Sequence, residues 1–295
     1  MKKTILTCLL VCNTLFVCQS QEWMTNLDVA KSLAHVQNKL LFVIWEDVSY
    51  GQYPVLIYND QGLSFVDDLF SNEHLNEVVW EHFVPVIISE SKYEPLYNEI
   101  KGKRSQLYID KFNDDSIKIM DINGNIINTS IVYYDYLDIA KFISTYALNT
   151  SFLKAELTNY KTQKDWNTAY RLGSKYIDFA VLVNDEVRSE IIRLSNYYLD
   201  EARVFAVAEN VNVLNQKIEL QNIYQDLVLG KAKKVLRQLK RLDVSQFDAS
   251  DQSLVAFLYF TSHLLLKDET SASAWRSKVS LVNLKMTSLI IEINS

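Results

Sequence analysis

Leu40-Leu41-Phe42-Val43-Ile44-Trp45-Glu46-Asp47-Val48-Ser49-Tyr50 decides how this chain is read. Its first six residues are apolar without interruption and lie between polar neighbours, the pattern of a strand buried on both faces. Upstream, Leu27, Ala30, Leu33, Ala34 and Val36 recur at near-helical spacing before Asn38 and Lys39. A helix over Trp23–Gln37 is therefore expected, with Thr25-Asn26 at its cap and Asp28 in its first turn, where a carboxylate suits the helix dipole. Downstream, Tyr53-Pro54-Val55-Leu56-Ile57-Tyr58 and Leu63-Ser64-Phe65-Val66 flank the turn-rich Asn59-Asp60-Gln61-Gly62. Two short apolar runs around such a tetrapeptide predict a hairpin, with a distorted helix start as the alternative.

The next segment runs from Asp67 through Phe70-Ser71-Asn72-Glu73 to Phe83-Val84-Pro85-Val86-Ile87-Ile88. Ser71 or Asn72 can cap a helix with Glu73 just inside it, and Leu75, Val78, Val79 and His82 share one face. Val84–Ile88 then reads as a buried strand, so strand, helix and strand form a crossover unit with parallel strands. A helix is expected near Glu94–Ile100. Residues 113–127 read as a further hairpin turning at Asn123-Gly124, which supplies positive φ. Asp135 can cap a last helix over Tyr136–Leu148, carrying Leu137, Ala140, Phe142 and Ile143.

Over residues 23–150 this order resembles a thioredoxin-like domain. In active members of that family the loop after the central strand carries Trp-Cys-x-x-Cys, and a helix N-terminus lowers the first thiol's pKa. Here Trp45 is followed by Glu46-Asp47-Val48-Ser49, and the 53–66 hairpin stands as an insertion where the redox motif would open its helix. The family also places a cis-proline followed by Thr ahead of the later hairpin. Aligning Ser116 with that Thr puts Asp115 at the proline position, and a non-proline cis bond costs about 2.5–4 kcal/mol, so a trans Asp114–Asp115 bond is expected. The resemblance implies a groove at Trp45, Glu46, Asp47, Tyr50, Tyr53, Asp115 and Ser116 as the contact surface. Trp45 with Tyr50, Tyr53 and Tyr58 forms either an aromatic binding surface or core and cross-strand pairs.

Lys2-Lys3, the apolar run Thr4–Cys18 and Gln19-Ser20 look like a secretory signal peptide cut after Ser20. The run is shorter than the roughly 20 residues a spanning helix needs. Lipidation at Cys18 is the alternative, although Leu15-Phe16-Val17 lacks the small residues that normally precede a lipidated cysteine. Cys8, Cys12 and Cys18 all lie in this leader, so the expected mature chain has no thiol and no thiol–disulfide exchange. The chain carries 30 basic and 36 acidic residues; losing Lys2 and Lys3 leaves 28 against 36, a net of −8. That balance argues against nucleic acid as a partner. No later stretch is apolar for long enough to span a bilayer. The expectation is an exported protein, periplasmic or extracellular, without a transmembrane segment. Six glycines and three prolines leave no room for a flexible linker.

From Ser151 onward the apolar period is helical. Helices are expected near Tyr160–Val183, Asp185–Ala208, Val211–Leu229, Lys231–Leu242, Ala249–Leu266 and Ala272–Ile291. Trp166-Asn167-Thr168-Ala169-Tyr170-Arg171-Leu172-Gly173 is similar to the start of a tetratricopeptide repeat, but no period near 34 residues holds. The division is thus a leader over 1–20, an α/β thioredoxin-like domain over 21–150, and an all-α array of helical hairpins over 151–295. Arrays of this kind commonly bind peptides or partner proteins.

Chemistry-bearing clusters are few. His35, His74, His82 and His263 are scattered and lack metal-ligand spacing. Glu46 or Asp47 facing Asp115 would form a carboxylate pair suited to acid–base work, against the plainer reading of an acidic loop end. Lys231, Lys233, Lys234, Arg237, Lys240 and Arg241 make a basic helix, either a docking patch or a solvated face. Asn128-Thr129-Ser130 and Asn149-Thr150-Ser151 match glycosylation acceptors. Phosphate loops, nucleophile elbows, zinc-protease motifs and calcium loops are absent from the sequence, and no cofactor is expected. The expected role is a redox-inactive adaptor that binds a protein or peptide partner in the cell envelope. The alternatives are a non-redox enzyme or small-ligand binder at the domain junction, and a structural subunit of an envelope assembly.

Overall fold

The structure is a computed structural model and describes residues 22–59, 61–130, 135–243 and 247–295. The expected leader with Cys8, Cys12 and Cys18, and Asp60 of the hairpin turn, lie outside the described residues. A small α/β region with two three-stranded sheets is followed by a predominantly helical region.

Helix α1 (Leu27–Gln37) is capped by the Asn26 side chain, which accepts from the Asp28 and Val29 amides. It starts four residues later than expected, because Met24 instead forms a parallel bridge with Val86. Strand β1 (Leu40–Trp45) is buried at every residue. A short helix, α2 (Glu46–Ser49), follows it directly. Next come β2 (Pro54–Tyr58) and β3 (Ser64–Asp68), which pair antiparallel as the predicted hairpin, with Tyr58 opposite Ser64. Asn72 caps α3 (Glu73–His82), as expected, and β4 (Phe83–Ile88) then lies parallel to β1 with Leu40 opposite Phe83.

Helix α4 (Tyr93–Ile100) matches the expectation, while α5 (Gln106–Asn113) was not anticipated. Strand β5 (Lys118–Met120) runs antiparallel to β1, so the first sheet has the order β4-β1-β5 and its central strand is the continuous apolar run. The expected 113–127 hairpin reduces to this strand, a turn and a single bridge between Met120 and Ile126. Only Gly124 of the Asn123-Gly124 pair takes positive φ, at 88°. Strand β6 (Leu137–Asp138) joins β2 in parallel and closes the second sheet in the order β3-β2-β6. Helix α6 (Ile139–Tyr146) is capped by Asp138 through the Lys141 amide, not by Asp135, because residues 137–138 are spent on the sheet.

The helical region comprises α7 (Lys154–Thr162), α8 (Trp166–Leu182), α9 (Asp185–Phe205), α10 (Val211–Val228), α11 (Ala232–Leu239), α12 (Ala249–Leu265), α13 (Glu269–Arg276) and α14 (Leu281–Glu292). Two expected helices are broken. Asp165 forms a capping box with Thr168 and starts α8 afresh, and Ser280 caps α14 through the Asn283 amide. Only Val183 and Asn184 separate α8 from α9, so these two pack as an antiparallel hairpin. Gly173 lets them approach: a Cβ there would lie 2.9 Å from two carbons of Leu199 and 3.1 Å from the Ser195 carbonyl. The Ser195 hydroxyl donates to the Gly173 carbonyl across the same contact at 2.7 Å.

Gly173→Val is expected to cost about 1–3 kcal/mol by forcing this helix pair apart. Urea unfolding of the full chain measures it, and a loss under about 0.5 kcal/mol would mean that the crossing has slack.

Candidate functional site

The residues singled out in the sequence fall into two environments. Trp45 is buried: its Nε1 donates to the Phe112 carbonyl at 2.9 Å, and its ring packs edge-on against Phe112 and tilted against Tyr93. It belongs to the core, which corrects its place on a contact groove. A strand buried on both faces gives its last side chain no route to water. Glu46, Asp47 and Tyr50 follow on and after α2. Glu46 accepts hydrogen bonds from the Ser89 and Tyr50 hydroxyls, and these hold its carboxyl below the ordinary range. The same bond to Glu46 raises the Tyr50 phenol. Tyr50 itself is 75% exposed, and Asp47 is exposed.

Tyr53 leaves this loop and lies against the segment ahead of β5. Burial pushes its phenol up to about 12; the Ile117 backbone donates to it, and Asp114 and Asp115 are its nearest charges. Of the residues named for the groove, Tyr53 and Asp115 are thus near one another. Of the two readings for Glu46 and Asp47, carboxylate pair with Asp115 or acidic loop end, Glu46 is engaged by Ser89 and Tyr50 and Asp47 is exposed. All described peptide bonds are trans, Asp114–Asp115 included.

What holds this loop is a set of residues that sequence reasoning passed over. Lys118, 1% exposed, donates to the Asp114 carbonyl, to Asp114 Oδ1 at 3.2 Å and to the Ser116 carbonyl at 2.8 Å. Lys111 donates to Ser116 Oγ, and that hydroxyl donates to Asp114 Oδ1 at 2.6 Å. Burial lowers Lys111 and brings Lys118 down to about 8. Burial pushes the Asp114 carboxyl up, but Lys111, Ser116 and Lys118 outweigh it and leave it lowered. An ammonium has three donors, and Lys118 uses all three on this loop, so the cluster clamps residues 114–116. The signal was available: Lys118 interrupts an apolar run between Ile117 and Ile119.

The junction between the two regions contains a buried carboxylate. Asp121 Oδ1 accepts from the Asn123 and Asn125 amides, each at 2.9 Å. Oδ2 accepts from the Tyr198 hydroxyl, from Tyr176 at 3.4 Å and from Asn125 Nδ2 at 3.4 Å. Burial raises its pKa, against the pull of these donors. Helix α9 continues the contact along one face. Glu186 accepts from Thr145 at 3.0 Å, Glu190 from Tyr146 at 2.7 Å and from the Ser130 amide at 3.1 Å, and Glu201 from Tyr160 at 2.5 Å and Arg104 at 3.3 Å. The carboxylate required for a junction site is therefore present, but donors rather than open space surround it. A small cavity of about 150 Å³ lies instead within the helical region, lined by Asp178, Tyr224, Phe257, Leu254 and Met286 among others.

Asn128 is buried, with its side chain bonded to the Ile119 amide and the Ile117 carbonyl at 2.8 and 2.9 Å, so its glycosylation motif is closed off in the folded chain. Asn149 is exposed and caps the Ser151 amide. His74 is solvent-facing, 3.9 Å from Glu77. No protein-family model matches the chain, and neither a curated protein nor a solved structure is found to be similar to it.

Two outcomes follow from the buried charges. Between pH 8 and 10.5 the unfolded chain retains a proton on Lys118 that the folded chain has released, so stability rises with pH across that window. Lys118→Met should flatten this rise by up to about 3 kcal/mol, measured by urea unfolding at both ends of the window. Asp121→Ala should cost about 3 kcal/mol or more, since it leaves buried tyrosine hydroxyls and amides without an acceptor. A loss below about 1 kcal/mol would show that water replaces the carboxylate.

Proposed function

We propose that the protein is an exported, thioredoxin-like module without redox chemistry that binds an extended segment of a protein or peptide partner. The scaffold reading is supported by a central buried strand with a parallel neighbour reached through α3 and an antiparallel neighbour on its other side. The lack of redox chemistry rests on Glu46-Asp47-Val48-Ser49 after Trp45, and on the absence of cysteine from residues 19–295. Export rests on the leader-like first 20 residues.

One observation carries the binding reading. Strand β3 is the edge of its sheet, and around it Tyr58, Leu63, Phe65 and Val66 are each 47–62% exposed. The hairpin's bonds fix which groups face outward. The Asn59 amide donates to the Leu63 carbonyl and the Leu69 amide to the Tyr53 carbonyl, both in register with the β2–β3 pairing. Bonded pairs alternate along an antiparallel ladder, so Ile57–Phe65 and Val55–Asp67 exchange bonds, while Val66, opposite Leu56, turns its N–H and C=O away from β2. An extended chain can add there as a further strand, its side chains meeting Phe65 and Val66 alternately. Of the predicted groove, Asp47, Tyr50 and Asp115 reach solvent, Tyr50 on the loop beside the hairpin.

Extended peptides selected against the immobilised full chain should lose at least tenfold in affinity to Val66→Pro. That change removes the outward N–H and leaves the Phe65 and Asp67 bonds in place. Equal binding by the variant would rule out the β3 edge, and a loss confined to Tyr50→Ala would return the site to the loop after β1.

A further inference from the structure

Helix α11 and its flanks carry the densest charge of the chain. Lys231, Lys233, Lys234, Arg237, Lys240 and Arg241 fall within eleven residues that contain no acid, and all six are exposed. Ala232, Val235 and Leu239 occupy the opposite face and are buried. Asp226 on α10 pairs with Lys231 at 3.2 Å and Lys234 at 2.7 Å. Asp248 and Asp251, at the start of the neighbouring α12, are both held by Lys217. Among the described residues, Lys233, Arg237, Lys240 and Arg241 enter no ion pair. At offsets of four and seven from Lys233, Arg237 and the C-cap Lys240 continue one stripe that runs about 10 Å at 1.5 Å per residue, and Arg241 follows in the turn after the helix.

We infer that this stripe seats the protein peripherally on an anionic lipid bilayer. The segment 231–241 itself contains no acidic side chain, so the stripe offers charge of one sign. A plane of laterally mobile headgroups can arrange itself under such a stripe, whereas a folded acidic partner would need a groove matched to it. The apolar side of α11 is used in the core, so nothing is available to insert, and attachment is electrostatic alone. The chain's net charge of −6 does not oppose this, because charges beyond about 8 Å are screened at physiological ionic strength. This inference does not depend on what the β3 edge binds.

Co-sedimentation of the full chain with phosphatidylcholine vesicles, with and without about one-third phosphatidylglycerol, tests it across a salt series. Binding is expected only to the phosphatidylglycerol vesicles, falling at least tenfold as salt is raised. Each charge removed should weaken it about fivefold, so a Lys233→Gln, Arg237→Gln, Lys240→Gln variant with an unchanged circular dichroism spectrum should lose at least tenfold. Lys92→Gln, Lys101→Gln and Lys103→Gln, exposed in the α/β region, should bind like the unaltered chain. The inference is overturned by equal binding to both vesicle types or by no binding at low salt. It is equally overturned if the α11 variant binds unchanged, or if heparin retains the protein while vesicles do not.

Discussion

A carboxylate removed from water needs every one of its lone pairs answered, and Asp121 has them answered from both regions of the chain. Its own turn supplies the Asn123 and Asn125 amides, and the helical region supplies the Tyr198 and Tyr176 hydroxyls. Separating the two regions would strip partners from a buried anion and from two buried phenols at once. Helix α9 repeats the arrangement along its length, with Glu186, Glu190 and Glu201 reaching Thr145, Tyr146 and Arg104 of the α/β region. The junction is therefore a polar seam whose geometry is set by matched donors and acceptors. Such a seam specifies one docking arrangement more strictly than an apolar contact of the same size does.

The clamp ahead of β5 works in the same way on a smaller scale. Two lysines and one aspartate tie residues 114–116 into a fixed loop, and Tyr53 lies against it. Lys118 also sits 6.0 Å from the Trp45 ring, so the end of the central strand and this loop share one saturated cluster. The two surfaces proposed for binding, the edge of β3 and the cationic stripe of α11, lie on elements outside this cluster and would call on different physics, backbone hydrogen bonding in one case and surface charge in the other.

The elements legible in the sequence were those with a strong local pattern. The 40–45 run, the 53–66 hairpin and the 73–82 helix each combine the right period with the right punctuation, and each formed within a few residues of its expected place. Elements that were misread lack one of the two. Helix α5 starts at a Ser105 cap that was not read as a helix start, and it buries Tyr108 and Phe112. Asp165 and Ser280 are helix caps, yet inside long apolar patterns they read as solvent-facing interior positions. Trp45 was placed on a contact groove by the family resemblance, with core packing as the alternative, and its side chain faces Phe112 and Tyr93 inside the core.

By itself the sequence determined the alternation of strand and helix up to residue 150, the helical character beyond it, the place of the central strand and the cationic face of residues 231–241. All of these depend on period and composition, which are local. Only the tertiary structure decided that Lys118 and Asp121 are buried and paired, that Asn128 is bonded inward and that β3 is left as an edge. Each of these depends on which distant groups arrive to satisfy a donor or an acceptor. Desolvation makes such meetings matter energetically, and no local pattern records them.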